Sequence, residues 1–164
     1  MGALTGLPLL SLMLILLLAG ALLCLFVSAR AARWIALVAT LAALEISVDL
    51  WLLFDPDGPQ WQFVEKLSLG GGVSWALGID GIALLLIVLT AFLMPICIGA
   101  SWRAIEKRVP EYMAYFLLME ALIMGAFAAQ DLFLFYIFFE GGLIPMYLII
   151  GVWGGAERIK ASYK

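Results

Sequence analysis

Five times along this 164-residue chain, about twenty residues pass with scarcely a charge. A helix needs about 20 mainly apolar residues to cross the hydrocarbon core of a bilayer. In that core every backbone polar group must be satisfied internally, so such segments fold as helices. The runs lie at about residues 8–28, 34–54, 79–100, 111–129 and 132–153. The first has a rival reading as a secretory signal peptide, but no basic region precedes it and the run is too long. With 66% hydrophobic and 13% charged residues the chain lacks the polar surface that a soluble domain of its size needs. The expected class is therefore all-α, a multi-pass transmembrane helix bundle of about five spans.

The basic residues orient that bundle. Arg30 and Arg33 fall between the first two spans, Arg103, Lys107 and Arg108 between the third and fourth, and Arg158, Lys160 and Lys164 after the fifth. Lys66 alone falls between the second and third, so eight of the nine Lys and Arg residues share one side. By the positive-inside rule that side is cytoplasmic, which puts the N-terminus outside and the C-terminus inside. The segment 55–81 is the only sizeable piece outside the spans. Its runs "WQFVEKLSL" and "VSWALGIDG" flank three glycines. They read as a hairpin on the membrane surface, with a solvated connector as the plainer alternative.

Several function classes drop out. A net charge of -3 with no basic stripe leaves no footprint for nucleic acid. There is no histidine, and Cys24 and Cys97 stand alone in separate apolar runs, so they read as packing residues rather than metal ligands. The glycines of "LGGGVSWALGIDG" have no adjoining basic residue and match no phosphate-cradling loop. The aromatic run 133–139 lacks the convergent polar donors that a quinone headgroup requires.

What remains to be explained is a set of acids inside the spans: Glu45 and Asp49 in the second, Glu120 in the fourth and Glu140 in the fifth. A charged group at the bilayer centre costs roughly 2.5–3.5 kcal/mol on insertion scales. Glu120 lies ten residues before Gln130, and Glu140 nine after Asp131. At about 1.5 Å rise per residue, both sit roughly 14–15 Å from the turn between the last two spans, which is the midplane. Their depth alone does not say which way they face. An intramembrane carboxyl with a movable cation beside it can load and release a proton. Every Lys and Arg here lies at a span end or in a loop, so a working Glu140 needs a basic partner from outside these residues. The alternative is an acid that stays protonated and holds helices together by hydrogen bonds. Pro145, five residues past Glu140, removes a helical hydrogen bond, and Gly141 and Gly142 admit a close neighbour. Together they suit a local opening for water, or simply a packing kink. Glu45 and Asp49, four apart on one face, are candidates to line a path.

These residues also carry a resemblance. The run "DLFLFYIFFEGGLIPMYLIIGVWGG", followed by "ERIKASYK", resembles the antiporter-like membrane subunit M (chain 4) of proton-pumping NADH:quinone oxidoreductase, respiratory complex I, and "GIDGIALLLIVLT" fits the approach to its third helix. Subunits L and N, and subunits of multisubunit cation/proton antiporters, share a looser form of the pattern. The resemblance implies that Glu140 is the essential acid of a proton channel, paired with a lysine on a later helix of a fold of about fourteen spans in two inverted repeats. On that reading residues 1–110 form three N-terminal helices with an outside loop at about 55–79. Residues 111–164 then form the first two helices of the first antiporter-like repeat, cut short. It further implies no cofactor in this chain, with NAD, FMN, iron–sulfur clusters and quinone elsewhere in the complex. The implied partners are other membrane subunits, especially L and N, and the lipid bilayer. The implied location is the inner (cell) membrane, the bacterial plasma membrane in preference to the mitochondrial inner membrane. The rival expectations are a subunit of a cation/proton antiporter and a structural membrane scaffold.

Overall fold

The computed structural model describes residues 8–70 and 73–155; the tip glycines Gly71 and Gly72 and the basic residues Arg158, Lys160 and Lys164 lie outside them. Five helices and one hairpin follow in the order α1 (Leu9–Leu25), α2 (Ala29–Leu53), β1 (Gln62–Gly70), β2 (Val73–Ile79), α3 (Gly81–Ala104), α4 (Val109–Ala128) and α5 (Leu132–Trp153). The helices α2 to α5 are each long and apolar enough to cross a membrane. With 17 residues, α1 stands at the short end of the spanning range. The second helix starts at Ala29, five residues before the apolar run, and so takes in Arg30 and Arg33.

Helix α4 is the centre of the bundle, packing on α1, α2, α3 and α5. Half of its most apolar window is buried, against 17% for α5. Close approach comes from small residues, since apolar surface gives helices little reason to associate within lipid. The buried stripe of α2 is Ala32, Ala36, Ala39, Thr40, Ala43 and Ser47, ending at Leu50. Gly20 of α1 sits where α1, α2 and α4 meet: a Cβ there would stand 3.1 Å from Ala39 and 3.2 Å from Leu117. Gly125 of α4 faces the ring of Phe138 on α5, and a Cβ there would lie 2.9 Å from it.

The outside segment is an antiparallel hairpin, as its alternating runs predict, with Lys66 opposite Ala76 and Leu67 opposite Trp75. A register shift between Gln62 and Glu65 marks a bulge, and Phe63 there holds a left-handed φ of 52°. The hairpin is more than a surface flap. Its residues Leu77 and Ile79 are buried, and Trp75 meets Phe138 edge-on at 5.8 Å between ring centres. The Gln130 N–H donates to the carbonyl of Ala76 at 2.9 Å, and Leu77 forms an isolated bridge with Ala129. The hairpin therefore grips the α4–α5 turn.

At the opposite end, the guanidinium of Arg33 donates to the carbonyl of Ile105 at 2.8 Å, and the Trp153 indole N–H donates to the carbonyl of Lys107 at 2.8 Å. Arg108 pairs with Glu111 one turn on. Among the described basic residues, Lys66 alone belongs to the hairpin end, consistent with five alternating helices.

Candidate functional site

The four intramembrane acids do not converge. Glu120 occupies the inward face of α4 with Leu117, Ala121 and Met124, and is 0% exposed. Neither of its carboxylate oxygens has a hydrogen-bond partner among the described residues. A buried polar group without a partner carries its full desolvation cost, and an unpaired buried charge carries far more. Glu140 has the same depth but the opposite disposition. The inward residues of α5 are Leu134, Phe138 and Pro145, and Glu140, two residues past Phe138, is exposed on the other side. The two glutamates thus share a level without sharing a face.

Glu45 is exposed and Asp49 half-buried on α2. Glu45 lies two residues from both Ala43 and Ser47, about 200° around the helix from the buried stripe, whereas Asp49 flanks that stripe beside Leu50. Thr40 and Ser47 of that stripe are buried, but their hydroxyls donate to the carbonyls of Leu37 and Leu44 on their own helix. Pro145 is buried within a helix that runs unbroken from Leu132 to Trp153. Gly141 packs on Leu122 of α4, where a Cβ would sit at 3.4 Å. The neighbour that this glycine admits is therefore α4.

The acids at the hairpin rim behave differently, and sequence reasoning passed over the most important of them. Glu65, on β1, reaches over the start of α1. Its Oε1 accepts from the Leu10 N–H at 2.8 Å, and its Oε2 from the Ser11 N–H at 3.0 Å and from the Ser11 hydroxyl. The Trp75 indole N–H donates to the same hydroxyl at 2.9 Å. The N-cap of α1 is Pro8, with no side-chain acceptor of its own, so a residue more than fifty positions away supplies the cap. The available signal was this missing cap, together with the one acid of β1. Asp80 caps α3 by accepting from Ala83 N–H at 2.7 Å. Asp131 caps α5 by accepting from Phe133 and Leu134 at 2.9 and 3.1 Å, and its other oxygen takes a bond from the Ser74 hydroxyl at 3.3 Å.

Comparison with known proteins adds what geometry alone does not. Residues 10–129 match the family model described as NADH-ubiquinone oxidoreductase chain 4, amino terminus. Residues 129–164 match NADH:quinone oxidoreductase/Mrp antiporter, TM. Over 135 residues the chain is 53% identical to NADH-quinone oxidoreductase subunit M of Rhodobacter capsulatus, covering 82% of this chain and 26% of that protein. It is 45% identical over 138 residues to NADH-ubiquinone oxidoreductase chain 4 of Arabidopsis thaliana, covering 82% and 28%. It thus spans little more than a quarter of the length of these relatives. A chain of respiratory complex I from Thermus thermophilus with bound NADH superposes with a TM-score of 0.76 at 32% identity, over 94% of this chain and 31% of that one. A chain of an archaeal membrane-bound sulfane sulfur reductase shares the fold, with a TM-score of 0.72 at 16% identity over 92% of this chain and 24% of that one.

Proposed function

The chain belongs to the family of NADH-ubiquinone oxidoreductase chain 4, the subunit M of NADH-quinone oxidoreductases, and on that premise we propose that it serves as a proton-translocating part of the membrane arm of respiratory complex I. The observation that carries the reading is a pair of carboxyl groups at mid-depth in adjacent apolar helices, neither bonded to its own chain among the described residues. Glu140 is the principal acid. Its side chain looks away from the bundle, where a cation from another segment can reach it and change its proton affinity. Glu120, enclosed on α4, is the second acid. Glu45, Asp49 and Pro145 stand as path or coupling positions of lesser weight.

In this assignment the chain holds no redox centre. NADH oxidation and quinone reduction take place in other subunits, which carry FMN, iron–sulfur clusters and quinone, and the neighbours in the membrane arm include subunits L and N. The three N-terminal helices and the α4–α5 pair correspond to a lead-in and the opening of an antiporter-like repeat. The basic end faces the cytoplasm by the positive-inside rule, in a bacterial plasma membrane.

A subunit of a cation/proton antiporter is the second reading, favoured by the model matching residues 129–164, whose description names both systems. The test is Glu140→Gln in the full-length subunit within its assembled complex, reconstituted in vesicles. We expect NADH-driven proton transport to fall to background while assembly and unfolding midpoint stay unchanged, since Glu140 has no partner to lose among the described residues. Undiminished transport sinks the proposal, and transport that needs a sodium or potassium gradient but no NADH moves the assignment to the antiporters.

A further inference from the structure

Two cavities at the basic end of the bundle have no part in the proton chemistry. The first is a trough of about 360 Å³ between α1 and α2, floored by Ala19, Gly20, Ala39 and Ala42 and walled by Leu23 and Trp34, with no charged residue in its lining. Its floor is low because these side chains are small or absent, and its rim stands open, with Trp34 57% and Val38 61% exposed. The second, of about 640 Å³, lies between α2 and α3 and is lined by Arg33, Trp102, Arg103 and Glu106. The two meet at one aromatic pair, Trp34 against Trp102, edge-to-face with ring centres 5.3 Å apart.

We propose that the two cavities together bind one anionic phospholipid, with an acyl chain in the α1–α2 trough and the phosphate beside Arg33 and Arg103. The layering matches that of a lipid leaflet: apolar trough, then tryptophans at the level where indoles favour the headgroup boundary, then guanidinium groups reaching water. Size separates the occupants. The trough has the volume of a small-molecule site, whereas a packed helix is about 10 Å across and needs a wider seat. Charge selects the headgroup. Two arginines against Glu106 leave the pocket with one net positive charge, and Arg30 adds another at the same end. A free phosphate would have no use for the trough, and a zwitterionic lipid none for the surplus charge.

The experiment uses the full-length protein in its assembled complex, in phosphatidylcholine vesicles doped with phosphatidylglycerol or phosphatidylcholine bearing a photoreactive diazirine in one acyl chain. Adducts on α1 and α2 are then quantified by peptide mass spectrometry. One net charge at the membrane surface predicts roughly fivefold more adduct from phosphatidylglycerol. Ala42→Phe and Ala19→Phe, at positions outside the core, fill the trough and reduce those adducts to the yield on the exposed face of α3. Arg103→Gln, which leaves the Arg33 to Ile105 bond in place, brings phosphatidylglycerol down to the phosphatidylcholine level. Equal yields from the two lipids in the unaltered protein overturn the proposal. So do adducts indifferent to Ala42→Phe, or a trough that gives none because another subunit covers it.

Discussion

The acids at the hairpin rim and the acids inside the spans are the same residue types in opposite circumstances. Glu65, Asp80 and Asp131 each accept backbone N–H groups at the start of a helix: α1, α3 and α5. Glu120, Glu140, Glu45 and Asp49 accept nothing among the described residues. The reason is geometric. An α-helix uses its interior N–H groups in its own ladder and leaves only the first four free, so a carboxylate finds backbone donors at a helix N-terminus and nowhere along the shaft. The macrodipole adds to this, because α1, α3 and α5 all begin at the hairpin end, where negative charge is stabilising. Rim acids are thereby consumed in holding the fold, while acids on the shafts hold no helix end.

Replacing members of each set should separate them. The largest effect on stability falls to Glu65→Ala, which leaves the Leu10 and Ser11 donors without acceptors; we expect a loss of about 2 kcal/mol, read from denaturant unfolding in micelles. A loss below a few tenths of this would mean that water replaces the cap and that the hairpin is dispensable to α1. Asp131→Ala should be milder, about 1 kcal/mol in the same assay, with Asp131→Asn retaining most of the cap. Glu120→Met should reverse the sign. Removing a buried carboxyl without partners in favour of a similar apolar volume leaves stability unchanged or raises it by up to about 1 kcal/mol. A marked loss of stability there would show that Glu120 acts as glue between helices, and would collapse the distinction between the two sets.

Much of this was readable along the chain. Apolar length located all five helices to within a few residues, and the distribution of Lys and Arg arranged them in alternation. Equal counting from the α4–α5 turn placed Glu120 and Glu140 at one depth, because rise per residue is nearly constant in a helix. Rotation about the axis was another matter. Helices such as α1 and α3 are apolar all round, so no polar face announces which side is inward; packing at Gly20, Gly125 and the α2 stripe decides that. This is why Glu120 ends inside and Glu140 outside, and why Glu45 is exposed while Asp49 is half-buried. The cap that Glu65 places on α1 was hidden for a related reason. It joins residues 55 apart, and strand periodicity says nothing about what a strand lies upon.

The sequence by itself determined that the chain crosses a membrane, in which alternation, and which carboxyls are immersed, since burial in lipid depends on segment composition and length. The tertiary structure alone decided which carboxyl is enclosed, which is presented outward and which hold helix ends, because those outcomes rest on side-chain volumes meeting across helices, and a one-dimensional pattern does not contain them.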